Sequence, residues 1–262
     1  MRFTLFIILM LFATFLLSQA NQLRFDSEKW PTGMVFHYQK SNWDGTHEGR
    51  ISIFFKEGMW IESAKWREGS TNVSIIPAKI DPITLSVHHF KNIRCEGGVC
   101  QQRGEMFFDN DANGYIINFG PLNDTIKGIP KYWHSYDFDW ASLMTAFIFK
   151  VNSSDHHFMR CDFTMISGQP GFGEIGKVIM PYEGIQKIDD IDCHVYLING
   201  PGLENRGGKI WFSTGQNLLR GFKIDIPDED SYQNVDFRFI SSESMDEKQW
   251  EAFKKSKWSE NK

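Results

Sequence analysis

The chain has 262 residues, 41% hydrophobic and 23% charged, with a formal net charge of −5. These proportions are those of an ordinary globular protein and exclude disordered, collagen-like and coiled-coil classes. Aromatic side chains are plentiful, with 23 Phe, 9 Trp and 7 Tyr, so many large rings must be buried or used for binding.

Residues 1–20 read as a signal peptide. Arg2 is their only charge, Phe3 to Leu17 is an apolar run, and Ser18-Gln19-Ala20 places small residues where a signal peptidase cuts. The run is shorter than the ~20 residues that span a bilayer, and no later stretch makes a transmembrane helix. The expectation is an exported protein, periplasmic or secreted, that is not an integral membrane protein, with residues 21–262 forming one domain.

Strands follow in close succession. Met34 to Gln39, Arg50 to Phe55, Met59 to Ser63, Asn72 to Ala78, Thr84 to Phe90 and Val99 to Phe108 alternate or form short apolar runs between turn residues. Asp44-Gly45 and Glu57-Gly58 mark hairpin turns. Asp109-Asn110-Asp111-Ala112-Asn113-Gly114 copies the first half of a calcium loop, but Gly120 stands where the bidentate acid belongs and strands flank it. A hairpin turn explains all six residues.

Residues 136–150 break the β pattern. Asp137 and Asp139 suit a helix N-terminus, and Phe138, Trp140, Leu143, Met144, Phe147 and Ile148 surround the axis, as in a buried helix. Strands resume over His157 to Ile166, Lys177 to Met180, Asp192 to Ile198, Lys209 to Ser213, Arg220 to Ile226 and Val235 to Ile240. Gly171 to Gly176 fits a dinucleotide fingerprint literally, yet no helix follows, and it is expected to be a loop between strands. A last helix, opened by a capping box at Ser244 to Glu247, runs to Trp258 and docks through Trp250, Phe253 and Trp258. The fold class is therefore mainly β (α+β): a curved antiparallel sheet around a mid-chain helix, with a C-terminal helix.

Four cysteines suit an oxidising compartment and allow three connectivities. The short Cys95–Cys100 loop closes at the lowest entropic cost, which pairs Cys161 with Cys193. Among possible chemical groups, His88-His89 and His156-His157 are adjacent pairs whose members point to opposite strand faces, which does not suit one metal. No serine nucleophile elbow, metal ligand set or cofactor motif is nominated. Asn72, Asn123 and Asn152 stand in glycosylation acceptors that matter only in a eukaryote. The only basic run, Lys254, Lys255 and Lys257, shares its helix with Glu247 and Glu251, so nucleic acid is not an expected partner.

Gly33 to Tyr38 near the start, and Gly208 to Phe212 leading through a turn to Leu219 to Ile224 near the end, give a strand order that resembles the lipoprotein-carrier (LolA-like) half-barrel proteins. The resemblance implies a concave face that holds acyl chains or related apolar ligands. The stripe Trp140, Leu143, Met144 and Phe147 is the expected lining of such a site. The expected function is a non-enzymatic binding or carrier protein for a lipid or other apolar group. The alternatives are a secreted hydrolase or carbohydrate-active β protein, and a structural envelope protein. The sequence sets no oligomeric state.

Overall fold

Period-two alternation governs most of the chain, and the strands it produces assemble one after another. The structure is a computed structural model that describes residues 30–81, 87–120, 122–127, 133–135, 159–166, 172–227 and 231–259. The expected leader, the expected helix over 136–150 with its stripe Trp140, Leu143, Met144 and Phe147, and the pair His156-His157 lie outside the described residues.

Eight strands form a first meander: β1 Met34–Ser41, β2 Gly49–Lys56, β3 Trp60–Trp66, β4 Val73–Ile80, β5 Val87–Glu96, β6 Val99–Asp109, β7 Gly114–Phe119 and β8 Leu122–Ile126. A separate three-stranded sheet follows, made of β9 Trp133–Ser135, β10 Met159–Ile166 and β11 Phe172–Met180. A second meander then runs through β12 Tyr182–Ile188, β13 Ile191–Ile198, β14 Gly208–Ser213, β15 Leu219–Ile224 and β16 Val235–Ser244. Antiparallel pairing of β16 with β1 joins the two meanders into one open, curved sheet of 13 strands, with β12 and β8 at its edges. The chain ends in helix α1, Glu247–Trp258.

Of two glycine-containing motifs, one forms the turn its chemistry dictates and the other does not. Asp109 and Gly114 face each other across the β6–β7 turn, Asp109 Oδ1 accepts from the Ala112 N–H at 2.7 Å, and Asn113 takes a left-handed conformation with φ of 48°. This is a hairpin turn built from Asn, Asp and Gly. The glycine-rich segment Phe172 to Gly176, expected as a loop, is instead part of strand β11 and pairs with β10. Opposite Phe163 and Thr164 of β10, β11 carries Ile175 as the extra residue of a β-bulge, which absorbs the irregular register.

Alternation gives the sheet two different faces. Phe36, Tyr38, Ile51, Ile53, Phe55, Ile61 and Ile76 join the larger core on the concave face, together with Tyr196, Phe212, Phe222 and Phe237 from the second meander. Their immediate neighbours Val35, Phe54, Ala64, Val73, Ile75 and Cys95 form a second core on the opposite face, closed by Trp250 and Trp258 of α1. The helix begins two residues later than its sequence suggests. Ser244 is held in β16 opposite Met34, so Asp246 becomes the N-cap: it accepts from the Gln249 N–H, and Gln249 Oε1 accepts from the Asp246 N–H.

The cysteines divide. Cys95 and Cys100 are directly paired across the β5–β6 hairpin and bonded as a disulfide. The second expected bridge is not formed: Cys193 is a free thiol, fully buried, pointing its S–H at the Ile191 carbonyl at 3.5 Å. Cys193 belongs to β13 of the large sheet, whereas Cys161 belongs to β10 of the small one, so no shared hairpin brings them together. Burial also pushes the Cys193 thiol pKa up, which keeps it protonated.

Candidate functional site

Register places polar groups in rows across the concave face at one end of β1 to β6. Ile51 of β2 lies beside Lys65 of β3, Lys65 beside Ser74 of β4, and Ser74 beside Arg94 of β5. One step further along the strands Lys40 of β1 faces Gly49 of β2. These residues line a cavity of about 650 Å³, which Arg67, Asn72, Asn92, Arg103, Ser231 and Tyr232 complete and Arg50 and Trp66 border. Ile51 and Ile76 supply an apolar part of its wall.

Local backbone features aim the side chains. The β5–β6 ladder shifts register between Asn92 and Ile93: Asn92 faces Gly104 and Ile93 faces Gln102, so Arg103 is the extra residue of a bulge. A bulge bends its strand and redirects a side chain, here bringing Arg103 to the same cavity as Arg94. Gly104 beside it faces Phe119, whose ring covers the space a Cβ would need. At the other side of the cavity Gly49 lies next to Tyr232, whose hydroxyl would stand at ordinary contact distance, 3.4 Å, from an added Cβ. Asn42 pins the segment that carries Tyr232, because its Oδ1 accepts from the Gln233 N–H at 2.9 Å.

The electrostatics run against the net charge of the chain. Lys40, Arg50, Lys65, Arg67, Arg94 and Arg103 line the cavity, and no carboxylate is among its described lining residues. Lys40 is 3% exposed and sets its ammonium 4.3 Å above the Tyr232 ring, a cation–π contact. Arg67 donates to Ser231 Oγ at 3.1 Å and lies 5.8 Å from the same ring. Arg50 is turned to Glu48 at 2.6 Å and Glu68 at 3.7 Å. Such a grouping in a concave, partly desolvated surface raises the local concentration of anions.

A second constellation has the connectivity of a hydrolase triad. His37 Nδ1 meets Ser52 Oγ at 2.7 Å and His37 Nε2 meets Glu243 Oε1 at 3.0 Å. Ser52 is fully buried on the face under α1, and the His37 ring packs against Phe253 with centroids 5.5 Å apart. A nucleophile must reach a substrate, and this hydroxyl has no path to one. The group is a hydrogen-bonded staple across β2, β1 and β16.

The other nominated groups separate as strand geometry requires. The His88 ring meets Phe108 at 5.7 Å, whereas His89 Nε2 meets Glu105 Oε1 at 2.6 Å. The pair therefore serves two environments. Arg94, Arg103 and Tyr232 are not singled out by the sequence, where a hairpin and about half the chain separate them. The visible trace is Lys65-Trp66-Arg67, two cations two residues apart at the end of β3.

No protein-family model and no curated protein sequence matches the chain. Among solved structures, a β-barrel-like protein of the domain of unknown function DUF1849 from Brucella abortus is similar with a TM-score of 0.44 and 11% identity, covering 81% of this chain and 98% of that one. A DUF1329 family protein from Desulfovibrio piger gives a TM-score of 0.24 and 9% identity, covering 83% of this chain and 88% of that one.

Proposed function

We propose that the chain is an exported, non-catalytic binding or carrier protein that holds a small molecule in the cavity of its curved sheet. One observation carries this reading: a cavity of about 650 Å³ opens on the concave face, within the usual size range of small-molecule sites. The leader-like residues 1–20 and the Cys95–Cys100 bridge support export, because disulfides persist in oxidising compartments. The polar lining also revises the expected ligand: the described wall suits a molecule with both an apolar part and a polar part rather than a purely apolar chain.

The test is native mass spectrometry on protein recovered from the export compartment without detergent. The parent should retain a small molecule, and Ser74→Trp, which fills the cavity, should lose it while keeping the same circular dichroism. Retention that is equal in both proteins would place the ligand elsewhere and overturn the assignment.

A further inference from the structure

Arginines are costly to gather, because like charges repel and each guanidinium loses hydration in a concave site. Their convergence at one end of the sheet therefore needs a reason, and most cations of the cavity have one. Arg50 is neutralised by Glu48 and Glu68, Lys40 lies over Tyr232, and Arg67 reaches Ser231. Lys40 and Lys65 have further interactions of their own. Arg94 and Arg103 differ: neither has an ion-pair partner among the described residues. Both are exposed at the cavity, and Arg103 is brought there by the β5–β6 bulge.

We propose that this cavity binds an organic oxyanion, a phosphate or carboxylate carried on a larger molecular body, with Arg94 and Arg103 as the groups that contact the anion and Arg67 as a third donor. The proposal rests on the ligand-binding reading above and names its substrate class. A guanidinium offers a planar fork of N–H donors that matches the oxygens of such groups in pairs, and two guanidinia satisfy more oxygens than one. Asn72 adds to the site. Its Oδ1 is buried at the cavity wall with no hydrogen-bond partner among the described residues. Buried polar atoms are nearly always paired. The two ends of an amide are interchangeable in shape, so the reversed amide places two N–H donors at the same point. Trp66, Tyr232, Ile51 and Ile76 provide flat and apolar surface for the body of the molecule. The Cys95–Cys100 bridge staples the β5–β6 hairpin on whose two strands Arg94 and Arg103 stand.

The oxyanion has two sources, the head of an anionic amphiphile or a soluble phosphate ester, and titration calorimetry on ligand-stripped full-length protein separates them. The probes are dihexanoyl phosphatidic acid and dihexanoyl phosphatidylcholine, both below their micelle concentrations, and glycerol 3-phosphate. The expected result is binding of phosphatidic acid that weakens by at least about tenfold to hundredfold in Arg94→Gln/Arg103→Gln, the range of one charged hydrogen bond. Arg94→Lys/Arg103→Lys keeps the charge, loses the fork and should recover only part of that loss. Comparable binding of glycerol 3-phosphate assigns the site to a soluble ester; its absence assigns it to an amphiphile. Equal binding of phosphatidylcholine and phosphatidic acid, or an unaltered affinity in the double glutamine variant, overturns the oxyanion assignment and leaves the binding reading standing. No binding of any probe, with no small molecule retained by native protein, overturns both.

Discussion

The indole Nε1 of Trp250 donates to the Glu62 carboxylate at 2.9 Å and so ties α1 to β3, 188 residues away in the chain. The Lys254 ammonium bonds to the same carboxylate oxygen, and both Glu62 and Lys254 are about 5% exposed. Breaking a buried pair from one side costs about 3–5 kcal/mol when the remaining charge is left unpaired. Here Lys254 keeps Glu251 at 2.7 Å, so the cost falls at the lower end of that range. Glu62→Ala should therefore lower the urea-unfolding free energy by that order, and adding Lys254→Met should restore much of it. A double variant no more stable than the single one would show that the pair itself is net stabilising.

Glu105 predicts an acid-side stability slope. Burial pushes its carboxyl pKa up, but the His89 hydrogen bond together with the charges of His89 and Lys91 outweighs this and holds the group below its ordinary value. A carboxyl depressed by folding stabilises fully above its unfolded pKa of about 4.3 and loses that contribution as pH falls through the folded value. Glu105→Gln should flatten the decline in thermal midpoint below about pH 4.3. An identical acid profile in parent and variant would remove this role.

Gly104 has no room for a methyl group, because the Phe119 ring covers the Cβ position. Gly104→Ala should destabilise by about 1–3 kcal/mol, the range for overpacking. Phe119→Leu in the same chain should return part of the loss by vacating the ring, although Phe119→Leu alone also destabilises. Chemical denaturation of the three variants decides this.

Thiol counting distinguishes the two cysteine pairs. With Cys95 and Cys100 bridged and Cys193 free and buried, unreduced protein should yield two thiols under denaturant, and Cys193 should resist alkylation in native buffer. Labelling followed by peptide mass mapping reads both. Absence of any thiol under denaturant would restore a Cys161–Cys193 bridge. Replacing Cys95 and Cys100 with serine should cost about 2 kcal/mol by the loop-entropy relation.

Much of the scaffold follows from local pattern, and the places where it does not are instructive. Val35-Phe36 and Phe54-Phe55 are sequential apolar pairs, which period two alone reads ambiguously; each pair splits between two cores because α1 covers the second face. Strand β12, Tyr-Glu-Gly-Ile-Gln-Lys-Ile, was not expected, since an edge strand has polar residues and no buried face to impose alternation. The Asp109 to Gly114 turn and the Cys95–Cys100 bridge were readable because their chemistry is local. The cavity was not: Lys40, Arg67, Arg94, Arg103 and Tyr232 meet only through register across several strands and a bulge that no short window of sequence reveals. The nominated stripe Trp140, Leu143, Met144 and Phe147 lies outside the described residues, so its lining role remains a proposal.

The pairing of Met34 through Ser41 with Asp236 through Ser244 has a kinetic meaning. As the chain emerges from its N-terminus, β1 gains β2 at once, whereas its other hydrogen-bonding edge waits until nearly the whole polypeptide has been made. Such non-local closure slows folding, and an unpaired strand edge invites pairing with another copy. A nascent or truncated chain that lacks β16 therefore displays an open edge in the middle of the future sheet, where aggregation would start.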